Sequence, residues 1–162
     1  MKYEEAKKIA DEVRAALAPH CWRIEIAGSI RRRRPEVGDI EIVAIPKPYG
    51  VDLFESGIAT VVNKWEKVKG ELPCKYTQRI LPQGIKLDLF LATTRNWGMI
   101  LAVRTGSEDF SHKVLARRWS ALGYSSSGGE LYKGGIAYPM YEEIDLFRFL
   151  GIDWVKPEER EI

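Results

Sequence analysis

Two acids set two residues apart inside an apolar run constrain this chain more than any other feature. The run is Asp39-Ile40-Glu41-Ile42-Val43-Ala44-Ile45. Its branched side chains suit a strand, and alternate residues of a strand share a face. Asp39 and Glu41 therefore stand side by side, with Ile40 and Ile42 turned the other way into a core. Neighbouring carboxylates raise each other's pKa unless a cation lies between them. Mg2+, which binds carboxylate oxygens together with substrate phosphates, meets that need.

The residues before the acids supply the complementary chemistry. Cys21 to Ala27 reads as a strand, and Gly28-Ser29 opens a turn. Arg31, Arg32, Arg33 and Arg34 follow, and Gly38 marks a second turn. A glycine for close backbone approach, a hydroxyl and several guanidiniums are parts for holding an anion. Acids for metal beside donors for phosphate point to a metal-bound triphosphate. The competing reading is a solvated basic turn followed by an edge strand with exposed acids. For an isolated Asp-x-Glu that reading is the better one, and the joint occurrence of the three features shifts the balance.

The other elements follow from periodicity and breakers. Met1 to Leu17 reads as an amphipathic helix stopped by Pro19, with Ala6, Ile9, Ala10, Val13, Ala16 and Leu17 on its apolar face. Pro46, Pro48 and Gly50 make a loop. Leu53 to Lys69 reads as a helix, its apolar side carrying Leu53, Phe54, Ile58, Val61, Val62, Trp65 and Val68. Cys74 to Leu81 and Ile85 to Ala92 read as strands joined at Pro82-Gln83-Gly84. The second carries Asp88 in an apolar setting, where an unpaired charge is costly. An edge strand with its acid in water, or a pair with Lys86, would also account for it. Asn96 to Val103 reads as a short helix, and Ser107 caps another that runs to Leu122. Two short strands around Ser125-Ser126-Ser127-Gly128-Gly129 and a helix over 142–150 complete the order, with Ile144, Leu146, Phe147 and Leu150 inward.

Gly28-Ser29-x-Arg31-Arg32, six further residues, then Asp39-x-Glu41, resembles the palm signature of the DNA polymerase β family (family X) of the nucleotidyltransferase superfamily. Family members usually carry Asp where this chain has Glu41. The resemblance extends from about residue 22 to 161, including Thr105-Gly106-Ser107 and the tail Lys156-Pro157-Glu158-Glu159-Arg160. It implies an α+β fold: a nucleotidyltransferase palm over 1–104, a mixed sheet with helices packed on one face, followed by a small α/β thumb over 105–162. This would be a minimal form, without the family's lyase and fingers regions. The resemblance makes Asp88 the third acid of a catalytic, metal-binding triad with Asp39 and Glu41, served by two Mg2+ ions for which Mn2+ can substitute. It assigns nucleotide contacts to Gly28, Ser29, Arg31, Arg32, Arg104, Gly106 and Ser107. Lys86 matches a basic residue beside the third acid, and with Lys113, Arg117 and Arg118, next to Trp119, it is a candidate DNA contact. Arg33 and Arg34 are solvated or face DNA. Val103 and Arg104 replace an aromatic pair, and Ser111 and Leu115 replace an Asn and an Arg.

The implied activity is DNA-directed DNA synthesis: a deoxynucleoside triphosphate used by a monomer on primed or gapped DNA, as in repair. A small nucleotidyltransferase acting on RNA, protein or a small molecule would use the same triad. A non-catalytic nucleic-acid-binding module is the reading from another class. In a chain of 162 residues the net charge of +2 excludes a global polycation, so DNA contact must be local. Cys21 and Cys74 lack metal spacing and read as free thiols. No apolar run reaches the ~20 residues of a membrane span and no signal peptide is evident, so the expected setting is cytoplasmic or nucleoid-associated.

Overall fold

A computed structural model describes residues 1–48 and 57–162. The fold is α+β, built on a mixed five-stranded sheet and a separate three-stranded one. Helix α1 (Tyr3–Leu17) leads into β1 (Cys21–Ile26), and the short helix α2 (Gly28–Arg31) leads into β2 (Asp39–Pro46). Helix α3 (Ile58–Val62) precedes β3 (Glu66–Lys69), β4 (Tyr76–Ile80) and β5 (Lys86–Leu91). The large sheet runs β1-β2-β5-β4-β3, with β2 and β5 parallel and the other neighbours antiparallel.

The sequence of β2 explains how that sheet is dressed. Ile40, Ile42 and Ala44 join Leu87 and Leu89 of β5 in the core beneath α1 and α3. On the opposite face, Val43 and Ile45 pack with Phe90 against Trp97 and Leu101 of α4 (Trp97–Thr105). Asp39 and Glu41 share that second face and remain partly exposed. The strand is thus buried on both sides at its end and open at its start, and the acids occupy the open part.

Helix α4 also contributes Met99 and Ala102 to another core, with Phe110, Leu115, Trp119, Leu131, Leu146 and Phe147. Around that core lie a π-helical stretch (Phe110–Ala116), α5 (Arg117–Ala121), the antiparallel strands β6 (Ser125–Ser127), β7 (Glu130–Lys133) and β8 (Ile136–Tyr138), and α6 (Glu143–Leu150). A buried ion cluster joins the two regions. Glu143 accepts hydrogen bonds from Arg31 at 2.5 and 2.9 Å and from Arg160 at 2.5 Å.

Several expectations need correction. The helix over 53–69 is only α3 among the described residues, because Glu66–Lys69 pairs with β4 as an edge strand. Residues 53–56 of that expectation lie outside the described residues, as do residues 49–50 of the loop before it. Val68, expected inward, is 44% exposed; apolar spacing could not reveal a partner strand some dozen residues away. Gly28-Ser29 begins a helix rather than a turn. Ser125–Ser127 is β6, so the turn is Gly128-Gly129, and β8 adds a strand that three residues were too few to signal. Ile144 is only partly buried, and Glu143 takes the inward position beside it.

Candidate active site

The parallel register of β2 and β5 sets Asp39 opposite Lys86 and Glu41 opposite Asp88. Paired residues of adjacent strands point to the same face, so the three acids meet on the open side of the sheet. Asp88 is 7% exposed. Two residues of β4 hold it: the Tyr76 hydroxyl and the Gln78 side-chain amide both donate to its Oδ1, the latter at 2.8 Å. Burial, and then Asp88, push the Tyr76 phenol well above its usual pKa, so it remains a proton donor.

Burial is also the first cause that raises the Asp39 carboxyl, followed by the charge of Asp88 and hydrogen bonding to it. Lys86, opposite in register, pulls Asp39 back down. Glu41 is pushed up to about 7 by burial and by the charges of Asp39 and Asp88, against the pull of Arg32 and Arg104. Its carboxylate lies against the backbone of Gly28, where an added Cβ would come within 1.8 Å of Oε2. Gly28 also has φ of +60°, so no other residue fits there without strain.

Asp39 and Glu41 open onto a cavity of about 900 Å³. It is lined by Arg32, Asp39, Glu41 and Tyr76, by Val103, Arg104, Gly106, Ser107 and Ser111, and by Gly128 and Gly129 of the β6–β7 turn. Arg104 rests on the Phe90 ring, 4.2 Å from its centre, and Phe90 stacks on Tyr76. Gly106 has ordinary extended backbone (φ −66°, ψ 157°). An added Cβ there would meet Phe110 at 2.7 Å and Ser111 at 2.9 Å, so the glycine permits close approach of the following helix. Ser107 caps that helix, its Oγ accepting from the Phe110 N–H at 3.1 Å.

The basic run divides by partner. Arg31 is taken up by Glu143 and by the Thr105 hydroxyl at 2.7 Å. Arg32 donates from Nε to Glu161 at 2.6 Å and from Nη1 to the Thr105 carbonyl at 2.9 Å, and still faces the cavity. Arg33 and Arg34 are exposed, near Glu158 and Glu161 respectively. The Ser29 Oγ is buried with no hydrogen-bond partner among the described residues.

The expected DNA contacts are dispersed. Lys86 is exposed beside the acids. Lys113 faces Asp109 at 3.3 Å, Arg117 is exposed, and Arg118 donates to the Leu150 carbonyl at 2.9 Å. Trp119 is 8% exposed, packs in the core around α6 and also lines the cavity. Leu115 is fully buried in that core. Tyr76 and Gln78 carried no recognisable signal; their alternation in a strand beside that of Asp88 was the only clue.

Among the described residues, no three or more Asp, Glu, His or Cys side chains are grouped so that they could hold a metal ion as they stand. The donor set nevertheless suits a hard divalent cation, because it is all carboxylate oxygen and carries repulsion that a cation would relieve. The sign of the resulting pH dependence is fixed. The Glu41 carboxyl, ordinarily near 4.5, is held up at about 7 in the folded chain. Its contribution to stability is complete below pH 4.5 and is lost as the pH rises through 7, a change of roughly 3 kcal/mol. Without divalent cation, melting should fall over that window, and Glu41→Gln should flatten the fall. An unchanged pH profile in the variant would contradict the assignment.

Residues 100–161 match the family model of the DNA polymerase beta thumb. No curated protein matches the chain. Among the described residues, no helix is long and apolar enough to cross a membrane. Residues 100–161 are thus similar to a DNA polymerase β thumb, which relates the chain to the family X polymerases.

Proposed function

We propose that the chain is a metal-dependent nucleotidyltransferase that adds deoxynucleotides to a primer 3′-hydroxyl on primed or gapped DNA, as in gap-filling repair. Residues 1–104 act as the palm and 105–162 as the thumb, and the enzyme works as a monomer. One observation carries the reading: Asp39 and Glu41, with Asp88 in register beside Glu41, line a cavity that residues of the thumb-like segment also line.

Two Mg2+ ions, held by Asp39, Glu41 and Asp88, would supply Lewis acidity and a charge clamp on the attacking and leaving oxygens. The chain's own groups do the rest. Arg32 has guanidinium donors beyond those given to Glu161 and Thr105, and these face the triphosphate. The orphaned Ser29 hydroxyl is a second phosphate donor. Arg104, fixed on Phe90, adds positive charge that is felt by Glu41. In the reaction the 3′-oxygen bonds to the α-phosphorus, the bond to pyrophosphate breaks, and the hydroxyl proton leaves through the acid cluster to solvent. Arg31, held by Glu143 and Thr105, supports the fold of this wall more than it binds phosphate.

Primer extension on single-stranded, nicked and gapped DNA, with Mg2+ or Mn2+ and each nucleotide singly, tests the reading. Template-directed addition is expected. Transfer to RNA, protein or a small acceptor instead would point to the other enzyme class, and DNA binding without turnover to a binding module. The same assay reads sugar selectivity. Val103, Arg104, Ser111 and the buried Leu115 offer no aromatic wall against the sugar. A wall of this kind should reject ribonucleotides by about a hundredfold or less. Rejection beyond about ten-thousandfold would contradict it.

A further inference from the structure

We propose that Tyr76, assisted by Gln78, is a positioning residue that fixes the carboxylate of Asp88 for the reaction; this rests on the nucleotidyltransferase reading. Both side chains come from β4 and both donate to one oxygen, Oδ1. The register explains the convergence. Gln78 lies opposite Asp88 and Tyr76 opposite Phe90, so alternate residues of β4 face alternate residues of β5. With two donors on Oδ1, rotation of the carboxylate would break a charge-assisted bond, and the second oxygen accepts from neither of them. Tyr76 is itself fixed. Its ring stacks on Phe90 at 5.0 Å with 24° between planes, and the Lys69 ammonium lies over it at 5.5 Å. Arg104 covers Phe90, so a continuous column of Arg104, Phe90 and Tyr76 ends at the acid. A hydroxyl at the end of a locked ring holds one geometry with little loss of freedom, which the flexible Lys86 could not do.

Tyr76→Phe keeps the ring and removes only the hydroxyl. The expected result is a kcat for primer extension lower by about tenfold to a hundredfold, the range for a hydrogen bond to a charged group. KM for the triphosphate should stay within about twofold and melting within a few degrees. Titration with Mn2+ alone, followed by the loss of the free-ion resonance, should show weaker binding in the variant, by about tenfold. Adding Gln78→Leu should lower kcat further. Wild-type turnover with Tyr76→Phe unchanged in kcat and in Mn2+ binding overturns the positioning role alone. A fall in melting that accounts for all lost activity, with kcat per folded molecule unchanged, does the same. A wild type that neither extends primers nor binds Mn2+ overturns the parent reading, and this inference with it.

Discussion

Asp88→Ala should lower nucleotide incorporation by at least about a thousandfold, which corresponds to roughly 4 kcal/mol of transition-state stabilisation. The chain should stay folded. The substitution removes one of three crowded acids, and the repulsion that helps to raise Asp39 and Glu41 falls with it. Melting in the absence of divalent cation should therefore hold or rise near pH 8, even though Tyr76 and Gln78 lose their acceptor. Stabilisation by Mg2+, expected in the wild type by mass action, should shrink or vanish. Single-nucleotide extension and thermal melting with and without Mg2+ read both effects. Incorporation within about tenfold of the wild type would remove Asp88 from the chemistry.

Glu143→Ala should produce the largest loss of stability. The Glu143 carboxylate is 6% exposed and is the shared partner of Arg31 and of Arg160, whose side chain is fully buried. Arg160 lies against both the Phe147 and Trp154 rings and donates from Nε to the Val155 carbonyl at 2.9 Å. Its own carbonyl accepts from the Ser107 N–H at 3.0 Å, so the tail is tied to the cavity wall. Removing the carboxylate leaves two guanidiniums facing each other, one of them without water. Breaking a buried pair in this way costs about 3–5 kcal/mol. For a chain of this size that is a fall in melting temperature of roughly 10 °C or more. Arg160→Met keeps volume and leaves Glu143 paired with Arg31, so it should cost clearly less. Equal losses in the two variants, or a fall below about 3 °C for Glu143→Ala, would show that the cluster does not hold the two regions together.

Much of the five-stranded sheet was legible because its signals are local. Alternation in 39–45 put Ile40 and Ile42 in the core and the acids opposite, and Pro19, Gly84 and Gly106 marked the ends of elements. The cap at Ser107 was equally readable, since a capping hydroxyl acts within three residues. Strand β3 was not, because it is exposed on both faces and exists only through its pairing with β4. The roles of Tyr76 and Gln78 were hidden for a related reason: nothing in their own segment distinguishes a side chain that faces an acid from one that faces water.

By itself the sequence determined which groups were available: two adjacent acids, a third in another apolar run, a glycine and hydroxyl before a basic stretch. Tertiary structure decided which of them meet and in what state. The parallel pairing of β2 with β5 brings Asp88 beside Glu41, and burial then raises Glu41 to about 7. Neighbouring arginines, alike in sequence, are split by contact, Arg31 going to Glu143 and Arg32 to the cavity. A carboxylate's pKa and a guanidinium's partner depend on distance and local dielectric, and both are set by strands and helices far apart along the chain.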